Sequence, residues 1–204
     1  MHTYNLISNL RDVVSCDIEF HGHNDSDCAV ANAFCALQAG ATHIDTTVLG
    51  IGERNGITAM GALIARLYTY DKSLVDKYDL TLLAEIERVV AGKIGIGVPF
   101  NTPITGEVAF HHKAGVHTKA VLQNPTSYEA ITPEDFGMSR IIDVAHRLVG
   151  RNAIRDRAAT LGINLPEHVL QEATALVKAM ADEQRITMAD VDALLNNIML
   201  PVDD

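Results

Sequence analysis

His21 and His23, two residues apart in the run DIEFHGHND, are the side chains of this sequence best placed to do chemistry. The run opens apolar-polar-apolar, which is a strand pattern, and on a strand residues i and i+2 point to the same face. Both imidazoles can therefore reach one divalent cation from one side, with Glu19 on the same face one step deeper. Taken alone, an HxH is equally well two polar residues leaving a strand. Its setting gives it weight: Asn24 and Asp25 end the strand and a helix-like run follows. Polar groups then gather at the C-terminal end of a strand, where (β/α) barrels carry their active sites.

The elements that must position these residues read as an alternating α/β pattern. Apolar residues at Tyr4, Leu6, Ile7, Leu10, Val13 and Val14 predict a helix over His2–Val14, and Asp17–His21 is the first strand. The Ala-rich run Asp25–Ala39 predicts a helix closed by Gly40, and the β-branched run His43–Thr47 (HIDTT) a second strand. Helix, strand, helix and strand with short connections form a parallel βαβ unit, whose crossover is right-handed. The loop after it, VLGIGERNGIT, carries three glycines and suits a close approach or an anion at a helix N-terminus. It lacks GxGxxG, so it is no nucleotide fingerprint, and the adjacent Glu53 and Arg54 suit an ion pair at the rim of a sheet.

Further helices are expected over Ala59–Tyr70 and over Leu80–Val90, the second with an apolar face of Leu82, Leu83, Ile86, Val89 and Val90. Glycines and prolines then crowd Ala91–Phe110, which predicts a linker at 93–110 between a first domain, 1–92, and a second, 111–204. The second reads as all-helical, with helices over His111–Asn124, Arg140–Gly150, Asn152–Leu161, Pro166–Arg185 and Met188–Met199. Thr187 and Asp190 form a capping-box pair before the last of these.

Composition limits the partners. The 204 residues carry a formal net charge of -10, which disfavours a nucleic-acid surface, since phosphate binding needs clustered Lys and Arg. Three cysteines without a CxxC pair suit a reducing compartment, and no apolar run approaches the ~20 residues of a membrane span. With no basic and apolar leader visible, the expected location is the cytoplasm, or an organelle addressed by a segment outside this sequence.

At the level of whole motifs, EFHGHNDSDCAVANAFCALQAGATHIDTTVLGIGERNGIT resembles the last two strands of the catalytic barrel of the homocitrate synthase family. NTPITGEVAFHHKAGVHTKA resembles the start of that family's helical subdomain, and the similarity continues through FGMSR and GRNAIRDRAATLGI. The resemblance implies an α/β fold: the last strands of a (β/α)8 TIM barrel, then an all-helical C-terminal subdomain, with the N-terminal part of the barrel absent. It implies an acyltransferase that condenses acetyl-CoA with 2-oxoglutarate to homocitrate and CoA, at the head of lysine synthesis by the aminoadipate route.

By the same resemblance His21 and His23 match the metal histidines, for a zinc, manganese or magnesium ion that polarises the ketone. His117, in AGVHTKA, matches the general base, Tyr128 a tyrosine that orients the acetyl group, and Glu19 a pocket residue where the feedback inhibitor lysine also binds. The subdomain is expected to reach into the partner's barrel in a homodimer or larger assembly. His111 and His112 match no catalytic position and read as supporting or surface residues, and Arg54 and Asn55 as a barrel-floor network.

Isopropylmalate or citramalate synthases, which use other 2-oxo acids, are the alternative enzymes. The sister isopropylmalate synthases typically read GERxGN where this chain has Ile57 in place of the last Asn, which favours the homocitrate branch. A non-catalytic dimerisation or regulatory remnant is the third reading, and such a remnant would not need His21, His23 and His117. The family's acidic metal ligand and oxo-acid arginine, on its first strand, have no counterpart here. The chain is therefore expected to be a piece of a longer protein, inactive and a poor metal binder by itself.

Overall fold

Why the first elements form is visible in how they bury small residues. In the computed structural model, which describes residues 2–113 and 120–198, α1 (His2–Val13) turns Ile7 inward. It packs on α2 (Ala29–Gln38), whose Ala29, Ala33 and Ala36 make a smooth buried stripe at helical spacing. Arg11 closes α1 by donating to the carbonyls of Val14 (2.7 Å) and Cys16 (2.5 Å). The end of α2 is a Schellman turn: Gly40 has φ +104°, and the N–H groups of Gly40 and Ala41 return to the carbonyls of Leu37 and Ala36. Between these helices β1 (Glu19–Phe20) pairs in parallel with β2 (His43–Ile44), in the register Glu19↔His43 and Phe20↔Ile44. Ile7, Ile18, Ala36, Ala39 and Ala41 form the core beneath them.

The ladder is shorter than the strands expected over Asp17–His21 and His43–Thr47. Among the described residues each strand has one partner only, so ladder hydrogen bonds end after two residues. The pairing continues as single bridges, His23↔Ile57 and Thr47↔Ala59. Both depend on the Gly-rich loop folding back. Gly56 has φ +75°, and a Cβ there would stand 1.7 Å from the Gly50 carbonyl oxygen, so no other residue fits.

After the loop come α3 (Met60–Tyr70) and α4 (Leu83–Ile94), the latter preceded by a 3-10 turn at Leu80–Leu82 and closed by Gly95 at φ +76°. The apolar face expected on α4 is buried only in part. Leu82 (45%), Ile86 (39%) and Val89 (54%) are exposed, whereas Leu83, Glu87 and Ala91 face inward. Glu87 has a niche of its own. Gly61 leaves room for the Glu87 carboxyl, Thr105 donates to it, and its burial pushes the Glu87 pKa up. Residues 131–139 belong to this first compact unit with residues 1–109. Phe136 is buried against the Tyr68 ring, and Asp135 accepts from the Tyr68 hydroxyl (2.5 Å) and from Lys72 (2.6 Å).

The second unit comprises residues 110–130 and 140–204. The helices expected over His111–Asn124 and Arg140–Gly150 require correction. His111–His112 (β3) and Ile141–Ile142 (β4) instead form a two-residue parallel ladder, and among the described residues of the first range helix is found at 120–123. Ile141 and Ile142 are β-branched, a type that loses χ1 freedom in a helix and suits a ladder. Three helices complete the unit: α5 (Arg151–Thr160), α6 (Glu167–Glu183) and α7 (Met188–Ile198). Ile154, Leu170, Val177, Val191 and Leu195 fill its core, and Arg157 holds Asp192 through two hydrogen bonds, at 2.7 and 2.5 Å. Thr187 and Asp190 cap α7 reciprocally, at 2.8 and 3.3 Å, as the sequence predicted.

Candidate metal centre

The end of β1 delivers the two histidines together. Phe20 is the last ladder residue, and beyond it His21 and His23 turn their rings edge to face, 5.1 Å between centroids, with Nε2 atoms 3.3 Å apart. The register that pairs Phe20 with Ile44 places Asp45 beside His21, and the Asp45 N–H donates to the Phe20 carbonyl. Asp45 Oδ2 lies 2.8 Å from His21 Nδ1. A carboxylate only accepts, so Nδ1 carries the proton and the His21 Nε2 lone pair is free to bind a cation. The Nδ1 of His23 is buried without a hydrogen-bond partner among the described residues, which leaves Nε2 as its working atom.

This donor set fits a divalent transition metal. Two imidazole nitrogens at 2.0–2.1 Å from a tetrahedral ion stand about 3.3–3.4 Å apart, and the observed separation is 3.3 Å. Imidazole suits zinc, and a carboxylate behind a ligating histidine is the usual means of fixing its tautomer and raising its basicity. Among the described residues no group of three or more His, Cys, Asp or Glu converges, so the protein ligands here number two.

The segment following His23 is held from behind. Asn24 Oδ1 accepts from the Ala29 N–H (3.0 Å), and the Asn24 N–H donates to the Gly56 carbonyl (2.9 Å). Asp25 takes a two-point grip from Arg54, at 2.9 and 3.0 Å, which holds the Asp25 carboxyl below the usual carboxylate range. Arg54 therefore pairs across the loop with Asp25. The Gly-rich loop serves to brace the histidine-bearing strand end.

The remaining expected residues divide. Glu19 sits exposed on β1 and lines an open, largely apolar hollow with His43 and Asp45, its side chain making no hydrogen bond or ion pair among the described residues. Tyr128 lies in the second unit, half exposed after the 3-10 turn Pro125–Ser127, with its ring edge-on to His112 at 5.8 Å. His117 lies outside the described residues. Two features escaped sequence reasoning. Asp45 was visible as part of HIDTT, but only the strand register pairs it with His21. His112, expected as a supporting or surface residue, is buried and donates to Glu129 at 2.7 Å, while Arg140 grips the same carboxylate from Nε at 3.0 Å and Nη2 at 2.7 Å. Burial raises the Glu129 pKa, but the hydrogen bonds from Arg140 and His112 outweigh it and the net shift is downward.

Comparison with known proteins identifies the class and then the family. Residues 1–90 match the family described as HMGL-like, and residues 104–185 match that described as homocitrate synthase post-HMGL domain-like. The first is a TIM-barrel family, here followed by a helical C-terminal part. The chain is 52% identical over 202 residues to the mitochondrial homocitrate synthase of Schizosaccharomyces pombe, covering 98% of this chain and 48% of that protein. It is 55% identical over 193 residues to the mitochondrial homocitrate synthase of Penicillium rubens, covering 94% and 41% respectively. Against the cytosolic isozyme of Saccharomyces cerevisiae the identity is 50% over 195 residues, covering 95% and 46%. The chain belongs to the homocitrate synthase family, and it spans about half the length of the curated relatives it matches. No helix among the described residues is long and apolar enough to cross a membrane.

Proposed function

We propose that this chain carries the two-histidine side of the metal centre of a homocitrate synthase. The observation that carries the reading is the pair of Nε2 atoms 3.3 Å apart, one ring fixed by Asp45, at the end of a strand. His21 and His23 would hold a divalent ion, zinc, manganese or magnesium. Bound there, the ion supplies Lewis acidity to the ketone of 2-oxoglutarate. His117 takes a proton from the acetyl methyl group of acetyl-CoA, Tyr128 orients that acetyl group, and the resulting carbanion attacks the ketone carbon. Water then cleaves the thioester, giving homocitrate and CoA. Glu19 lines the 2-oxoglutarate pocket, where lysine competes as feedback inhibitor. In a homodimer or larger assembly, His117 and Tyr128 of one subunit serve the metal of the other.

We assign the two sets of residues to two domains, 1–92 from a barrel and 111–204 from its subdomain, with 93–110 linking them, although residues 93–109 and 131–139 pack with the first unit. The barrel reading is supported by the first unit's open side. A hollow of about 1000 Å³ beside β2 is lined by Phe34, Leu63, Leu67, Leu82 and Ile86, and further barrel strands and helices would fill it. The relatives include mitochondrial and cytosolic enzymes, and either compartment suits this chain. Among its described residues the chain offers a cation two ligands, where catalytic zinc sites have three, so we expect activity to depend on the rest of the polypeptide.

Release of CoA thiol by the full-length protein carrying this segment tests the function. Acetyl-CoA with 2-oxoglutarate is expected to turn over, with His21→Ala, His23→Ala and His117→Ala each losing at least ~100-fold. Equal turnover with a branched 2-oxo acid would transfer the protein to the sister synthases. Undiminished turnover in the His21→Ala/His23→Ala double variant would overturn the metal assignment.

A further inference from the structure

We propose that Glu129 is a positioning residue for Tyr128: clamped by Arg140 and His112, it fixes the turn and the neighbouring ring against which Tyr128 is oriented. The inference rests on the reading of Tyr128 as the group that orients the acetyl moiety.

Three observations combine. First, Glu129 is the residue after Tyr128, and both N–H groups return to one carbonyl, that of Pro125, at 2.9 Å from Glu129 and 3.1 Å from Tyr128. Where the Glu129 side chain is fixed, the backbone carrying Tyr128 is fixed with it. Second, the Glu129 carboxylate is buried, 7% exposed, and accepts from three side-chain N–H groups: Arg140 Nε at 3.0 Å, Arg140 Nη2 at 2.7 Å and His112 Nε2 at 2.7 Å. A two-point guanidinium grip sets direction as well as distance. Third, the His112 ring held by Glu129 is the ring on which Tyr128 leans, at 5.8 Å and an interplanar angle of 67°. One carboxylate thus controls the tyrosine by the backbone and by its aromatic neighbour.

The cluster is also tied to the ladder. His112 lies on β3, pairing with Ile142 of β4, and the Asp143 N–H donates to the His112 carbonyl at 2.9 Å. Arg140 stands one residue before β4. The three members therefore come from three points of the second unit, β3, the turn at Pro125–Ser127 and the approach to β4. Such a convergence is costly to build around a charge unless the charge is needed to hold a geometry.

The test reads Tyr128 directly. With 3-fluorotyrosine incorporated, the chain gives five ¹⁹F signals, for Tyr4, Tyr68, Tyr70, Tyr78 and Tyr128, and Tyr128→Phe assigns the one of interest. Glu129→Gln keeps the shape and removes the charge. It is expected to shift and broaden the Tyr128 signal and leave the Tyr4 and Tyr70 signals in place, with the fold checked by thermal melting. An unmoved Tyr128 signal in a folded Glu129→Gln protein overturns the proposal.

In the full-length protein Glu129→Gln is expected to lower kcat about tenfold with little change in the KM for 2-oxoglutarate, and to add nothing on a Tyr128→Phe background. Additive losses would overturn the positioning role while leaving Tyr128 its own. A Tyr128→Phe protein of undiminished kcat, with the ¹⁹F shift present, would instead remove Tyr128 from the reaction and leave the positioning geometry standing.

Discussion

Each unit contains a histidine bonded to a carboxylate at nearly the same distance, His21 to Asp45 at 2.8 Å and His112 to Glu129 at 2.7 Å. Their surroundings differ. The His21 and Asp45 side chains are 50% and 43% exposed, and the second ring nitrogen of His21 points to another imidazole. The His112 and Glu129 side chains are 9% and 7% exposed, and the carboxylate is saturated by Arg140 as well. The same pair of groups thus does two jobs. In the open pair the carboxylate fixes a tautomer and leaves a lone pair for a ligand. In the closed pair the carboxylate is buried and held by two side chains at once, which gives rigidity.

The comparison can be broken most forcefully at the closed pair. Arg140→Ala leaves a buried carboxylate with one partner, and unfolding free energy should fall by about 3 kcal/mol, read from urea denaturation. The sign of the pH dependence follows from the lowered pKa of Glu129. Its contribution is present above the pKa of an unfolded glutamate and is lost as pH falls through the lower, folded value, so the gap between wild type and variant should narrow in acid.

At the open pair the order of effects reverses. Asp45→Ala should weaken metal binding by about 10–100-fold in the full-length protein. The same change should cost less than ~1 kcal/mol of stability, because the pair is exposed. A variant that loses stability and keeps its metal would erase the distinction between the two pairs.

Glu87 sharpens the comparison as a buried carboxyl with no cationic partner among the described residues. Its raised pKa favours the neutral form in the folded state. The associated stability is fully present below the pKa of an unfolded glutamate and is lost as pH rises through the folded value. Glu87→Gln can keep the Thr105 hydrogen bond and removes that loss. Urea midpoints should rise relative to wild type at neutral and alkaline pH and not in acid, the smallest of these effects.

How far the sequence foretold these sites depends on the span of each interaction. The HxH was legible because two-residue periodicity needs no knowledge of the rest of the fold. Asp45 was not, since its partner is 24 positions away and the strand register alone brings it there. The Gly-rich loop announced a close approach without saying to what, and the answer, Gly56 against Gly50, is again a tertiary one. Two-residue strands such as Ile141–Ile142 are too short for alternation to show, so a helix was expected there. On α4, periodicity picked out an apolar face of which Leu83 is buried and Leu82, Ile86 and Val89 are exposed, and it gave no sign of the niche that Gly61 and Thr105 make for Glu87. The α7 capping box was legible because both its members lie within one turn.

The most direct measurement follows the imidazole nitrogens of the ¹⁵N-labelled 204-residue chain by NMR during a zinc titration. The Nε2 resonances of His21 and His23 should move together, weakly and saturably, while the Nε2 resonance of His112, already committed to Glu129, stays where it is. If the His21 and His23 resonances are unmoved at excess zinc, or if His112 responds as they do, the open pair is not a metal centre and the distinction drawn between the two histidine–carboxylate pairs fails.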